Sequence, residues 1–117
     1  MKTVEAWEPA LAAVVERLAH ALGPERIVLF GSHARGLVHQ NSDIDLLLIG
    51  RWDAGGIEHW QRRAQMMAAG SLPRIDLVLC TPEDLENESG SRWFFLRSAV
   101  EQGRVLYARN SRSISRA

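Results

Sequence analysis

Two short stretches decide how this chain reads. Arg26-Ile27-Val28-Leu29-Phe30-Gly31-Ser32 is followed, after ten intervening residues, by Asp43-Ile44-Asp45-Leu46-Leu47-Leu48-Ile49. The first is an apolar run rich in strand formers that ends on a glycine and a serine. The second opens from the turn-forming residues Asn41-Ser42 and continues as a buried strand up to Gly50. Alternate residues of a strand share a face, so Asp43 and Asp45 are expected to project together, with Ile44 entering the core behind them.

The pattern outward from this pair alternates helix and strand. Trp7, Leu11, Val14, Val15, Leu18 and Leu22 recur at steps of three and four, which predicts an amphipathic helix over Trp7–Leu22. Pro9 suits its first turn and Gly23-Pro24 its end. Beyond the second strand, Ile57, Trp60, Ala64 and Met67 share one helical face, and Gly70 with Pro73 closes that element. Ile75–Cys80 reads as a third strand. Thr81-Pro82-Glu83-Asp84 has the form of a helix N-cap with proline at the first helical position and acids in the first turn. A further helix begins at Ser91, carries Trp93, Leu96 and Val100, and ends at Gly103. Val105-Leu106-Tyr107 fits a short edge strand. The expectation is an α/β (α+β) domain, a short mixed sheet flanked by helices, over residues 1–107, with 108–117 as a frayed tail.

Composition narrows the function classes. The chain has 117 residues, 46% of them hydrophobic and 24% charged, enough for one core without disulfides. Formal net charge is zero, which argues against broad electrostatic binding to a nucleic-acid backbone. No apolar run approaches the length needed to span a bilayer. The opening Met1-Lys2-Thr3-Val4-Glu5 lacks the layout of a secretory signal, so the cytoplasm is the expected location. Cys80, the single cysteine, excludes an internal disulfide or a multi-cysteine zinc site and reads as a strand-end core residue.

The chemistry sits in the two opening stretches. Adjacent carboxylates repel, and burying them beside Leu46–Ile49 is costly unless a divalent cation compensates. Oxygen donors suit magnesium or manganese, and no nearby Cys or His cluster speaks for zinc. Gly31 lets the backbone approach a ligand closely, and a helix starting at Ser32 would aim free N–H groups at a phosphate. Metal-bound carboxylates facing a phosphate cradle are the parts that phosphoryl-type transfer requires. Two ions about 3.5–4 Å apart would hold the attacking and leaving oxygens. Asp76, opening the third strand, is placed to complete the cluster and to act as general base toward an acceptor hydroxyl. Without the acids, Gly31 is a turn glycine and Ser32 a helix cap.

Leu29-Phe30-Gly31-Ser32-His33-Ala34-Arg35-Gly36, with Ser42-Asp43-Ile44-Asp45-Leu46-Leu47-Leu48 after it, resembles the signature of the DNA polymerase beta-like nucleotidyltransferase superfamily. It is most similar to the minimal nucleotidyltransferases of bacteria and archaea. The resemblance covers about residues 26–80. It implies magnesium on Asp43 and Asp45, a nucleoside triphosphate such as ATP at Gly31-Ser32, and a third carboxylate that Asp76 matches. It also implies a helical partner of the HEPN type: many relatives of this size are the antitoxin of a toxin–antitoxin pair, and some move AMP from ATP to a partner tyrosine. The competing readings are an antitoxin that works by occluding its partner with the pocket as a relic, and a nucleotide-sensing domain. A homo-oligomer is compatible with all three.

Several residues keep two readings. Arg35 is a phosphate contact or a solvated helix arginine. His33 and His39 lack partners at ligand spacing and read as loop or surface residues, and His20 and His59 as helix-surface residues. Trp60, Met66 and Met67 belong to the core or to a partner interface. Trp93-Phe94-Phe95-Leu96 is apolar around more than one helix face, which points either to the core or to a protein contact.

Overall fold

The computed structural model describes residues 2–31, 44–52, 55–70, 75–87 and 90–109. In chain order the elements are α1 (Lys2–Leu22), β1 (Arg26–Phe30), β2 (Ile44–Ile49), α2 (Gly56–Ala68), β3 (Ile75–Cys80), α3 (Pro82–Glu86), α4 (Gly90–Gln102) and β4 (Arg104–Ala108). The four strands form one mixed sheet in the order β3-β2-β1-β4. β1 runs antiparallel to both β2 and β4, while β2 and β3 are parallel. The parallel pair follows from its connection, because a crossover through α2 returns the chain to the same end of the sheet.

The alternation within each strand splits the core into two layers. Ile27, Leu29, Ile44, Leu46, Leu48, Leu77 and Leu79 face α1 and α2, where Leu11, Val14, Val15, Leu18, Leu22, Ala64 and Ala68 meet them. Val28, Leu47, Ile49 and Cys80 face the other way, onto Leu85 of α3 and Leu96 and Ala99 of α4. Trp52 closes the first layer: its indole N–H donates to the Cys80 carbonyl at 2.8 Å, and its ring tilts against Trp60 at 5.7 Å.

Helix boundaries follow the local chemistry. α1 starts earlier than its apolar stripe predicts, and Pro9 lies inside it rather than in its first turn. A proline there forgoes one backbone hydrogen bond, while Glu5, Ala6 and Glu8 around it are compatible with continued helix. The Trp7 side chain lies outside the described residues. At the far end the Gly23 N–H donates to the Ala19 carbonyl at 3.1 Å and ends the helix. α3 begins on the expected cap: the Asp84 N–H donates to the Thr81 hydroxyl at 3.2 Å, and the Thr81 N–H donates to the Asp84 carboxylate at 3.0 Å.

The structure refines three expectations. Ile57, assigned to the buried face of α2, is exposed, as is Met66, whereas Trp60 and Met67 pack against the core. Ile57 sits in the first turn of α2, short of the stretch that the sheet and α1 cover. The apolar run of α4 divides: Leu96 is fully buried, Trp93 donates its indole N–H to the Leu85 carbonyl at 3.0 Å, and Phe94 and Phe95 remain exposed. β4 continues through Ala108, and Arg109 donates its backbone N–H to the Glu25 carbonyl at 2.8 Å, two residues into the expected tail.

Candidate active site

The two described carboxylates of the sequence reading meet on the α4 side of the sheet. In β2, Ile44 and Leu46 point into the α1/α2 layer, so Asp45 between them projects to the opposite face. In β3 the same parity applies to Asp76, between Ile75 and Leu77. Asp45 and Asp76 are direct register partners of the parallel β2/β3 pair. Adjacent strands lie about 5 Å apart, so the two side chains stand next to each other at the N-terminal ends of their strands. Asp45 is half-buried and Asp76 is exposed. One carboxylate is thus held by the sheet and the other opens to solvent.

β1 completes the row. Phe30 is the antiparallel register partner of Asp45, which sets its side chain on the same face. Gly31 follows at once with φ +80°, and a methyl group there would run into the Asp45 carboxylate, 3.3 Å from its Cγ. The missing side chain therefore does two things at Gly31. It allows the left-handed turn, and it leaves the space that the Asp45 oxygen occupies.

The donor set suits a hard divalent ion, since two carboxylate oxygens side by side, with no thiol or imidazole in the row, match magnesium or manganese. Among the described residues no group of three or more Asp, Glu, His or Cys side chains converges. The third acid of the sequence reading, Asp43, lies outside the described residues, as do Ser32, His33, Arg35 and His39. His20 and His59 are exposed helix residues, the latter edge-on to Trp60 at 5.2 Å.

Cys80 belongs to the core and not to this row. It is fully buried, and burial, reinforced by the Asp84 charge, pushes its thiol up to about 12. A thiol so far from ionising is a poor nucleophile. A broad groove between α1 and β4 contains neither aspartate, nor Gly31. Among the described residues no helix is long and apolar enough to cross a membrane.

Residues 11–106 match the model of the nucleotidyltransferase domain family. The chain belongs to that family. A Methanocaldococcus jannaschii protein assigned as a protein adenylyltransferase is 34% identical over 71% of this chain and 78% of its own length. The protein adenylyltransferase MntA of Shewanella oneidensis is 33% identical over 69% of the chain, which spans about half, 52%, of MntA. The fold agrees. A Sulfolobus solfataricus structure assigned as a nucleotidyltransferase superposes with TM-score 0.62 at 17% identity, covering 94% of this chain and 87% of that one. A structure of a toxin–antitoxin with AMP-PNP gives TM-score 0.53 at 23% identity, covering 85% and 74%. As a nucleotidyltransferase domain, the chain carries its Asp45/Asp76 pair on a mixed sheet with helices on both faces.

The sequence reading missed Phe30 and Phe95 as neighbours of this site. Their rings meet edge to face, with centroids 5.6 Å apart. Phe30 was legible only as a strand residue, because its parity relative to Asp45 depends on the β1/β2 register.

Proposed function

We propose that this nucleotidyltransferase moves AMP from ATP to a hydroxyl on a partner protein, a tyrosine of a HEPN-type helical toxin, and so serves as the antitoxin. The observation that carries this reading is the register pairing of Asp45 with Asp76 beside the Gly31 turn. Both relatives above bear protein adenylyltransferase names, which supports protein as the acceptor class. The neighbour that is a toxin–antitoxin structure supports a toxin as the partner.

In this mechanism Asp43, Asp45 and Asp76 would hold magnesium, with manganese as a substitute. The bound ion would offset charge on the phosphate oxygens. The backbone N–H groups at Gly31 and Ser32 would cradle the triphosphate, and Arg35 would contact phosphate, as the family signature implies. Asp76, the more exposed carboxylate, accepts the proton of the acceptor hydroxyl. The acceptor oxygen then forms a bond to the α-phosphorus, the bond from that phosphorus to the bridging oxygen breaks, and pyrophosphate leaves. The chain's own part is positioning and charge neutralisation. We place the reaction in the cytoplasm, where the ATP it consumes is available.

The test is transfer of label from α-labelled ATP, with magnesium, to the product of an adjacent open reading frame, which on this reading is a small helical protein. Wild type should label it, and Asp45→Asn should lower transfer at least ~100-fold, the scale of losing a charge-stabilising group at a transfer site. Label that survives the substitution overturns the mechanism. Neutralisation of the toxin by an unlabelling Asp45→Asn protein would instead establish the occlusion reading.

A further inference from the structure

Phe95 is a large apolar side chain that the core does not take. α4 buries Leu96 and Ala99 against the sheet, yet Phe95 keeps 44% of its surface exposed. It is nevertheless placed: its ring stands at 83° to that of Phe30. Phe30 is in turn the register partner of Asp45. Reading across β3, β2 and β1 on this face, the order is Asp76, Asp45, Phe30, with Phe95 packed on Phe30 from α4. An exposed ring, held edge-on by a second ring at the end of a carboxylate row, is a surface suited to stacking a flat aromatic group.

We propose that Phe95, backed by Phe30, is the platform on which the nucleobase of the bound nucleotide stacks. This rests on reading Asp45 and Asp76 as the transfer centre. The position decides between a base and an acceptor ring. Asp76, the group that would take the acceptor's proton, lies two strands from Phe30, about 10 Å away. Phe30 is covalently next to Gly31, on the side where the triphosphate would sit, and the base is tethered to that triphosphate. Stacking of this kind tolerates any base and favours the larger purine surface.

The experiment compares binding of ATP, CTP and inorganic tripolyphosphate by calorimetry, with magnesium, to the wild-type chain and to Phe95→Ala, Phe95→Leu and Phe95→Tyr. Leucine keeps the apolar cover of α4 and removes only the ring, so it reports even where alanine unfolds the helix. The expected result is ATP binding about tenfold weaker in the alanine and leucine variants, the scale of one lost base–aromatic stack. Tripolyphosphate binding should stay within about twofold, tyrosine should restore ATP affinity, and the loss for ATP should exceed that for CTP. Equal losses of ATP and tripolyphosphate overturn the proposal by assigning Phe95 a structural role. Unchanged ATP affinity overturns it as well, and a raised acceptor KM in that case assigns the ring to the acceptor. Selective loss of ATP without any AMP transfer by the wild type sustains the platform while overturning the transfer reading.

Discussion

Replacing Gly31 by alanine tests the central geometry, because the backbone and the carboxylate each oppose it. At φ +80° an L side chain costs about 1–2 kcal/mol. The added methyl also meets the Asp45 carboxylate, which must rotate away from its place, costing about another 0.5–1.5 kcal/mol. Alanine in place of glycine restricts the unfolded chain and returns about 0.4–1 kcal/mol. The net expectation is about 2 kcal/mol. For a domain between the size classes usually tabulated, that is a fall of roughly 8 °C in melting temperature. Gly23→Ala is the control: its φ is +64°, but the added methyl meets nothing within 4 Å. It should cost only the backbone share, about 1 kcal/mol, and leave AMP transfer intact. Gly31→Ala should in addition lower kcat/KM about 100-fold, since displacing a positioned catalytic group by ~1 Å has that effect. Thermal melts by circular dichroism and single-turnover labelling read the two quantities. If the two variants melt alike and both transfer at the wild-type rate, then Gly31 does not shape the Asp45 site.

Three further outcomes follow from the packing. Trp52→Phe removes the buried indole donor to the Cys80 carbonyl, which keeps the Gly50 N–H at 3.0 Å. The lost bond and volume should cost about 1–3 kcal/mol in urea unfolding, and an unchanged midpoint would count against that contact. Thr81→Ala removes a hydroxyl that caps α3 and should cost about 1 kcal/mol, with Thr81→Ser recovering most of it. Cys80 should resist iodoacetamide between pH 8 and 10, where an unburied thiol near 9.0 ionises, because burial holds it as the thiol up to about 12. The native state then binds the proton more tightly than the unfolded chain. Stability from this group is therefore complete below pH 9 and declines as pH rises toward 12, which melts at pH 8 and pH 10.5 would register. Rapid alkylation of the folded protein at pH 9 would contradict the buried placement.

Local chemistry was legible in the chain itself. The stripe Leu11, Val14, Val15, Leu18, Leu22 and the cap Thr81-Pro82 mark helices because their signals repeat within one or two turns. β1, β2 and β3 begin and end where the apolar runs do, and the parity of Ile44 against Asp45 follows from the two-residue period of any strand. The family signature is equally local: a strand end, a short connection and a strand start.

What the residues alone leave open is everything that depends on which segments become neighbours. Nothing local to Asp76 states that it pairs with Asp45, since that requires β3 to lie parallel beside β2 in one register, and a slip of one residue would turn it to the other face. The same holds for Phe30 beside Asp45, and for the split of Trp93–Leu96 into a buried leucine and exposed phenylalanines. Helical periodicity could not place Ile57, because burial depends on how far the facing elements extend. A strand's own sequence sets which residues share a side. Only long-range pairing, which trades chain entropy for hydrogen bonds and buried area across the whole sheet, decides what stands beside them.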